Sequence, residues 1–504
     1  MKLVLPAALL LATATLVTPA LAHAGGRKMT GQAFAKLAET GEVNLEGVTI
    51  GSRVDLSDRT ITKRFTCRNC HFQEAFVAVG TTFEGIADFR GSTFSGNVAF
   101  RKATFGAAAL FGSPTTAQGA TKFSGSVDFS LATFGDLATF ENSVFQARDS
   151  TASQRGCDVA LPDTTDFQLA RFEKGATFVL DAIYGDADFS RAMFAGTVDF
   201  NSTTFWHQGV FDGSEFTGPV NFGGGMFICT GSFQSARLDM GGTFLGTNFS
   251  PCSPCSQDDK DSKIDDFSGL QSGGTLNFSF ATLGRTTSFD NMVVNGGITF
   301  HGATLPQHKV VSWVNVSATS LELDVGKAIK AVAPADLPDV LADIESSAKD
   351  RGDLSTANDA DYERKVLDSR KRGWLGHALD VFFYRWIAGY LVRPLQPLAA
   401  LLALALALTL LHAGRKAWPH PAATSRGWWN RLRSQAGRAR RILPPLGNAY
   451  LESLALVVPG KGPPAKERPV RWLEVIAYRL RFVCILIGFA NSNPTLRQML
   501  DAIR

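Results

Sequence analysis

Residues 167–249 decide the fold: FQLARFEKGATFVLDAIYGDADFSRAMFAGTVDFNSTTFWHQGVFDGSEFTGPVNFGGGMFICTGSFQSARLDMGGTFLGTNF. Large apolar residues recur here in steps of alternately five and six residues, at positions 167, 172, 178, 183, 189, 194, 200, 205, 211, 216, 222, 227, 233, 238, 244 and 249. A small residue stands two positions before most of them, as at Ala170, Ala176, Ala187, Ala192, Val198, Thr203, Gly209, Ser214 and Val220. A fixed period of eleven with one large and one small inward position predicts stacked identical units, which is a solenoid.

The composition of this stretch favours strands over helices. Eleven residues could form three helical turns, but the stretch is rich in Gly, Thr, Asp and Phe and poor in helix formers. Each Gly costs about 1 kcal/mol inside a helix. The spacing of two between small and large inward residues is the period of a β-strand. Each step is therefore predicted to be a strand of two or three residues followed by a corner.

The repeat resembles the unit of the pentapeptide-repeat family, which is roughly A-(D/N)-(L/F)-x-x. The matching pieces are Ala87-Asp88-Phe89, Val127-Asp128-Phe129, Ala187-Asp188-Phe189, Val198-Asp199-Phe200 and Val220-Asn221-Phe222. The resemblance implies a right-handed, four-sided β-helix with four steps per coil. The coil would have 22 residues instead of the usual 20, because alternate sides carry an extra residue. Residues 22 apart would then stack, forming the aromatic columns Phe178, Phe200, Phe222, Phe244 and Phe189, Phe211, Phe233.

The same phase extends over residues 42–310, which we predict to be the β-helix domain of ten to eleven coils. Three interruptions break the phase, at 112–122, 147–166 and 250–266. Insertions in a solenoid usually map to surface loops, often on one face, which makes these three the first candidates for recognition. Within the last interruption, residues 257–266 contain five Asp but lack an ordered calcium-loop pattern, so a solvated loop is the expectation.

The N-terminus has the features of a secretory signal over residues 1–22. Lys2 precedes an apolar run, and Ala20-Leu21-Ala22 offers a cleavage site of small residues. An uncleaved anchor is the alternative. Residues 30–41 then predict one short helix with Thr30 as its N-cap. We expect this helix to cover the apolar end of the first coil.

Six of the seven cysteines lie in the part of the chain that is predicted to be exported. They are the disulfide candidates Cys67, Cys70, Cys157, Cys229, Cys252 and Cys255. An even number of cysteines in an oxidising compartment predicts disulfides, whose pairing the sequence leaves open. The two C-x-x-C pairs could instead hold zinc, but no nearby His completes a ligand set.

A helical pattern replaces the repeat after residue 310. Residues 311–372 are predicted to be a linker and a helical hairpin, since apolar residues from Leu337 onward recur at three and four. A second helix is expected at 355–372. Its Ala357-Asn358, Tyr362 and Lys365 resemble the helical segment that links pentapeptide repeats to the membrane in bacterial proteins of this type. Residues 373–394 follow as a predicted interfacial amphipathic helix.

The clearest transmembrane prediction is residues 395–413, which contain no Asp, Glu, Lys or Arg. Residues 414–447 contain eight Lys or Arg and no acid, which favours the cytoplasmic side of a membrane. The chain as a whole has a formal charge of +4. Within it, the region 41–305 is acidic, with 28 acidic against 18 basic residues. This asymmetry indicates two different environments.

The final segment, 448–504, is predicted to be an apolar helical tail with a possible second transmembrane helix at 472–490. Its helix, loop and helix resemble the degenerate ion-channel-like tail of other pentapeptide-repeat membrane proteins. However, Val457-Val458-Pro459-Gly460-Lys461 lacks a carbonyl-filter sequence. The expected location is thus the bacterial inner membrane, with the repeat domain periplasmic and the basic segment cytoplasmic.

No catalytic constellation, metal set or cofactor motif emerges from the sequence. His71, His207, His301 and His308 are scattered, and each is expected to be a surface residue. A β-helix polysaccharide enzyme would need an acid pair, whereas Asp88, Asp188 and Asp199 occupy an outward slot that the family pattern reserves for structural Asp or Asn.

The leading hypothesis is a non-enzymatic, membrane-anchored scaffold or recognition domain. Its expected partners are the lipid bilayer and an envelope protein, without nucleic acid. The alternative is a channel- or transport-associated membrane protein, which conductance in bilayers would distinguish.

Overall fold

The computed structural model describes residues 27–113, 120–146, 163–249, 264–284 and 286–371. These residues form a parallel β-solenoid of about 12 turns. It divides into two compact units: residues 1–240 with 247–263, and residues 241–246 with 264–504. The segments predicted as signal peptide, interfacial helix, transmembrane helices, basic segment and tail (1–22, 373–394, 395–413, 414–447, 448–504 and 472–490) lie outside the described residues. Within the described part, no helix is both long and apolar enough to cross a bilayer.

Each full coil of the first unit contains four short strands, which we number as sides one to four in chain order. Side one comprises Lys28–Met29, Thr49–Ile50, His71–Phe72, Thr93–Phe94, Lys122–Phe123, Val144–Phe145, Ala182–Ile183, Thr204–Phe205, Met226–Phe227 and Asn248–Phe249. Side two comprises Val54–Asp55, Phe76–Val77, Val98–Ala99, Val127–Asp128, Thr164–Asp166, Asp186–Asp188, Gln208–Val210 and Thr230–Ser232. Side three comprises Thr60–Ile61, Thr82–Phe83, Thr104–Phe105, Thr133–Phe134, Arg171–Phe172, Met193–Phe194, Glu215–Phe216 and Arg237–Leu238. Side four comprises Val43–Glu46, Phe65–Arg68, Ala87–Asp88, Ala109–Leu110, Ala138–Thr139, Gly175–Thr177, Thr197–Asp199 and Val220–Asn221.

Strands on one side pair in parallel with residues 22 apart, as in Ala182↔Thr204 and Val198↔Val220. This register confirms the coil of about 22 residues. The extra two residues, relative to a 20-residue coil, fall in the six-residue steps. The five-residue steps turn through a left-handed residue two positions after the large residue, such as Arg191 (φ 55°) after Phe189 and Gly213 (φ 63°) after Phe211.

Phenylalanine rings fill the interior as parallel columns. In the side-four column, the ring centroids of Phe178 and Phe200 lie 4.6 Å apart and those of Phe200 and Phe222 lie 5.0 Å apart. In the side-two column, Phe211 stacks on Phe189 at 4.9 Å and on Phe233 at 5.0 Å. These two columns contact each other edge to face, so Phe200 has both stacked and perpendicular neighbours, the arrangement that aromatic quadrupoles favour.

A ten-residue helix, α1 (Gly31–Thr40), covers the first coil. The Oγ1 of Thr30 accepts a hydrogen bond from the backbone N–H of Ala33, which caps the helix. Phe34 is fully buried, and its ring lies 5.5 Å from that of Phe72 and 5.7 Å from that of Phe65. The helix therefore supplies the apolar cover that a terminal coil needs.

The second unit is built from the same coil. Its strands are Gly242–Thr243, Asp265–Asp266, Gln271–Ser272, Leu276–Asn277, Thr282–Leu283, Thr287–Ser288, Val293–Thr299, Val311–Ser312 and Ser317–Glu322. Phe244 stacks on Phe278 at 4.8 Å. Three helices follow the last strand: α2 (Val325–Ala331), α3 (Leu337–Asp350) and α4 (Leu354–Arg370).

The solenoid ends later than the predicted residue 310. Val311–Ser312 pairs with Thr287–Ser288, and Ser317–Glu322 pairs with Val293–Thr299. Trp313 fills the large inward position of this coil, with its ring 5.1 Å from that of Phe289. The predicted linker therefore begins as solenoid, because Trp replaces Phe as the core residue.

Helices α2–α4 cap this end of the second unit. The Oγ of Ser347 in α3 accepts a hydrogen bond from the backbone N–H of Leu321 at 2.7 Å, which satisfies part of the last strand's edge. Asp336 accepts a hydrogen bond from the backbone N–H of Trp313 at 2.9 Å. Glu345 in α3 is buried and is paired with Arg364 in α4 and with Lys349.

Two of the predicted interruptions are shorter than expected. Thr164–Asp166 lies within the predicted interruption 147–166 but is a side-two strand, and Asp265–Asp266 lies within 250–266 but is a strand of the second unit. The reason is that Thr165 and Asp265 occupy the small inward position, where they are 0% and 1% exposed. A polar residue at that position hides the apolar repeat in the sequence.

Candidate functional site

The carboxylates and amides in the outward slot before the large residue hold the solenoid's own turns. Their side-chain oxygens accept the backbone N–H two residues later at 2.8–2.9 Å. The acceptors are Asp128, Asp166, Asp188, Asp199, Asn221, Asp266 and Asn277. Asp and Asn are the residues that form such turns most readily. The repeated acids thus have a structural use at the corners of both units.

Three of these aspartates form an acidic ladder on side two of the first unit. Asp128, Asp166 and Asp188 occupy consecutive coils in register. Burial raises the pKa of Asp166, and the flanking charges of Asp128 and Asp188 raise it further. The hydrogen bond from the backbone N–H of Gln168 lowers the pKa, but by less than burial raises it. The described residues contain no group of three or more His, Cys, Asp or Glu placed to hold a metal.

Asp88 is the exception among the outward acids, because its side chain is completely buried. The Nε of Arg68 donates to one carboxylate oxygen at 2.8 Å, and its Nη2 forms an ion pair with the same oxygen at 2.6 Å. Arg90 donates to both oxygens at 2.7 and 2.8 Å. Burial alone would raise the pKa of Asp88, but the hydrogen bonds and charges of Arg90 and Arg68 outweigh it and hold the pKa below its usual value. The result is a charged cluster that ties two adjacent coils together.

Asp181 is a second buried acid, and it lacks such compensation. One carboxylate oxygen accepts the backbone N–H of Ser143 at 2.7 Å, while its Oδ2 has no hydrogen-bond partner. Burial raises the pKa of Asp181 well above its usual value, and the charge of Glu141 adds to it. At this position the neighbouring coils place hydroxyls: Thr203, one coil on, donates to the carbonyl oxygen of Phe178.

We expect the Asp181→Thr substitution to stabilise the protein by about 1–3 kcal/mol at neutral pH, since it removes an unsatisfied buried carboxyl group. The folded-state pKa of Asp181 lies above the unfolded value, so its contribution is most favourable below about pH 4 and is lost as pH rises through the folded pKa. The gain should therefore be larger at pH 7 than at pH 4 in chemical denaturation. Asp181→Asn is the control. Because its side chain cannot ionise, the difference in free energy of unfolding between Asp181→Asn and Asp181→Thr should be the same at pH 4 and pH 7. An equal gain in stability at both pH values would contradict the conclusion that Asp181 is a buried carboxyl group with a raised pKa.

The structure contains a disulfide between Cys67 and Cys70. Their Cα atoms lie 5.7 Å apart, and both side chains are fully buried in the second coil. Since the two sulfurs are bonded to each other, this C-x-x-C pair offers no thiolate to a metal. Cys229 is also disulfide-bonded. Cys157, Cys252 and Cys255 lie outside the described residues.

His207 is not the surface residue that the sequence predicts. It is 5% exposed, and its Nδ1 contacts a carboxylate oxygen of Asp186, one coil earlier. His71 is partly buried and its Nε2 hydrogen-bonds the Oγ of Ser95 at 2.9 Å, whereas His301 is well exposed near Glu322. The repeat did not indicate the His207–Asp186 pair, because the two residues are 21 apart and therefore one position away from the 22-residue register.

A cavity of about 600 Å³ lies in the second unit, between the last coil and helices α2–α4. Its lining includes His301, Glu322, Asp324, Lys327, Arg351 and Glu363. The opposite charges within the lining neutralise one another in part. Phe280, which is 61% exposed, contacts the ring of His301 at 5.7 Å.

Taken together, the coil and its core define the class. The chain is a parallel β-solenoid with coils of about 22 residues and a Phe-rich core, which is consistent with a pentapeptide-repeat protein. No family model matches the sequence, and no curated protein or solved structure matches it.

Proposed function

We propose that this protein is a membrane-anchored component of the bacterial envelope, with its β-solenoid in the periplasm as a scaffold or recognition domain that performs no catalysis. The observation that carries the proposal is the use of the repeated carboxylates. Seven of the outward Asp and Asn residues accept hydrogen bonds from their own turns: Asp128, Asp166, Asp188, Asp199, Asn221, Asp266 and Asn277. These groups therefore stabilise a rigid framework. A partner would bind to the sides of the coil.

Export is supported by the chemistry of the cysteines. A disulfide such as Cys67–Cys70 is typical of oxidising compartments, which in bacteria means the periplasm. The signal-like residues 1–22 supply a route to that compartment, and the uncharged residues 395–413 followed by the basic 414–447 supply an anchor of matching orientation. Three independent features of the chain thus favour one topology.

The topology is tested by adding protease to spheroplasts that express the full-length protein. We expect the solenoid to be degraded or released from outside while a cytoplasmic marker protein stays intact. Antibodies against the solenoid and against a C-terminal tag would follow the two parts separately. A solenoid that remains protected until the membrane is lysed would overturn the proposal.

A scaffold or recognition role is tested by chemical crosslinking of intact envelopes followed by purification of the solenoid. The expected result is one envelope protein that is enriched in stoichiometric amounts and is recovered less when the coil is destabilised by a core substitution such as Phe200→Ala. Turnover of envelope glycans by the purified protein, abolished by Asp128→Asn or Asp188→Asn, would instead identify an enzyme.

A further inference from the structure

The cavity of the second unit has one wall on the coil and one wall on the helices. The coil wall includes Phe300, Glu322 and Asp324, and the helical wall includes Asp359 and Glu363 of α4. All of these residues belong to the same compact unit. The volume of about 600 Å³ falls within the roughly 300–1,000 Å³ that is typical of small-molecule sites. The cavity is therefore large enough for a small organic ligand.

The lining of this cavity contains more acids than permanent bases. Its carboxylates are Glu322, Asp324, Asp353, Asp359 and Glu363, and its permanent cations are Lys327 and Arg351. The ammonium group of Lys327 is engaged by the coil, because it donates to the carbonyl oxygen of Ala303 at 2.5 Å. A lining with this excess of negative charge attracts cations and repels anions.

Two of the carboxylates also hold the backbone around the cavity. The Oδ1 of Asp324 accepts the backbone N–H of Lys327 at 2.9 Å, and the Oδ1 of Asp353 accepts the backbone N–H of Thr356 at 3.1 Å. A carboxylate has two oxygens, so each group keeps the capacity for a further hydrogen bond. These contacts fix the carboxylates in place without using them up.

Asp359 and Glu363 form the acidic face of the helical wall. They are four residues apart in α4, so they lie on the same face of the helix, and both are half-buried. The nearby bases Arg364 and Lys365 are paired with other acids of the two helices. Among the described residues, Glu363 has no ion pair. An ammonium group of a ligand would give this carboxylate a charge-assisted hydrogen bond.

An exposed aromatic ring stands at the rim of the cavity. Phe280 is 61% exposed and has a φ of 57°, a conformation that bulky residues rarely adopt. The same corner position is Gly246 one coil earlier and Gly302 one coil later. The Phe280 ring lies against Gly302, where a Cβ would come within 2.6 Å of it, and its centroid is 5.7 Å from that of the His301 ring. Because His301 and Gly302 both line the cavity, the ring is held beside its opening.

We propose that this cavity binds a linear polyamine, a ligand whose ammonium groups are joined by methylene chains. The ammonium groups meet carboxylates on both walls, and the face of Phe280 attracts one of them at the rim through a cation–π interaction. The methylene chain contacts the apolar part of the lining, which includes Leu323, Val325 and Ile329. This binding site goes beyond the proposed scaffold role and does not depend on where the solenoid is located.

Binding is tested by isothermal titration of the purified full-length protein with spermidine at constant ionic strength. We expect saturable binding of one spermidine per chain. Glu363→Gln should lower the affinity at least about fivefold, because it removes an ionised acceptor. Asp368→Asn is the matched control, since it removes a charge from the same helix outside the cavity, and it should change the affinity less than about twofold. The absence of saturable binding, or equal affinities of the two variants, would overturn the proposal.

Arg351→Gln tests the sign of the ligand's charge. The Arg351 guanidinium lines the cavity and has no ion pair among the described residues. It therefore repels a cationic ligand, and its removal should raise the affinity for spermidine about two- to fivefold. Circular dichroism of each variant checks that the fold is retained. A lower affinity of a folded Arg351→Gln variant would refute a cation site.

Phe280→Ala and competition with Mg²⁺ test whether charge alone accounts for the binding. We expect Phe280→Ala to lower the affinity for spermidine about two- to fivefold, because the cation–π contact is lost. Mg²⁺ at the same concentration should leave most of the bound spermidine in place, since it has no methylene chain and gives up its water reluctantly. Displacement of spermidine by equimolar Mg²⁺, or an unchanged affinity in Phe280→Ala, would contradict a polyamine site and indicate non-specific attraction of cations.

Discussion

Replacing Phe200 by Ala is expected to lower the free energy of unfolding by about 3–5 kcal/mol. The Phe200 ring stacks on Phe178 and Phe222 and meets Phe189 and Phe211 edge to face at 5.4 and 5.2 Å. These neighbours are held by their own stacks, so they cannot move in to fill the space. The loss should therefore lie near the upper end of the range, and chemical denaturation of the purified protein measures it.

Two further variants make the Phe200 result specific. Phe280→Ala removes an exposed ring from a corner of the second unit and should change stability by less than about 1 kcal/mol. Phe200→Leu keeps part of the packing, so its loss in free energy of unfolding should lie between those of Phe280→Ala and Phe200→Ala. Because neighbouring coils stabilise each other, hydrogen exchange should quicken most in the coils that contact Phe200. A loss below about 1 kcal/mol for Phe200→Ala would contradict the continuous aromatic core.

Asp88→Ala is expected to lower the free energy of unfolding by about 2–4 kcal/mol, because it removes the acceptor of three hydrogen bonds from two guanidinium groups in a buried site. The folded-state pKa of Asp88 is depressed, so its contribution is present above about pH 4 and is lost as pH falls through the folded pKa. The difference between wild type and variant should accordingly be largest at neutral pH.

Asp199→Ala is the matched control for Asp88, because Asp199 occupies the same outward slot on side four. It accepts hydrogen bonds only from the backbone of Asn201 and the amide of Asn221, both at 2.9 Å. Its loss should cost about 0.5–1.5 kcal/mol. Equal effects of the two substitutions would mean that the arginines add nothing to the stability of the coil. Thermal or chemical denaturation between pH 3 and pH 7 would show the difference.

The solenoid and its coil length could be predicted from the sequence because every large inward residue recurs at a fixed interval. That interval predicts which residues stack, and Phe178, Phe200 and Phe222 form the expected column. The prediction missed three inward residues at the edges of the predicted runs. Thr165, Asp265 and Trp313 all occupy regular core positions, so the coil is more continuous than the apolar pattern indicates.

The candidate sites were less predictable, because their partners are one coil apart. The pairing of His207 with Asp186 spans 21 residues, and the cage of Asp88 includes Arg68, 20 residues away. The small inward slot of Asp181 is occupied by hydroxyl residues in neighbouring coils, and nothing in the local sequence marks this Asp as buried and unsatisfied. Only the register shows which polar groups meet.

The sequence by itself determined that this protein is a solenoid, how many residues form a coil, and which rings fill its interior, since periodicity and residue size act locally and repeat. The tertiary structure alone decided where the coil ends and which carboxylates are buried with or without a partner. Those properties arise when residues distant in the chain come to lie one strand layer apart, where burial and hydrogen bonding depend on the neighbouring coil.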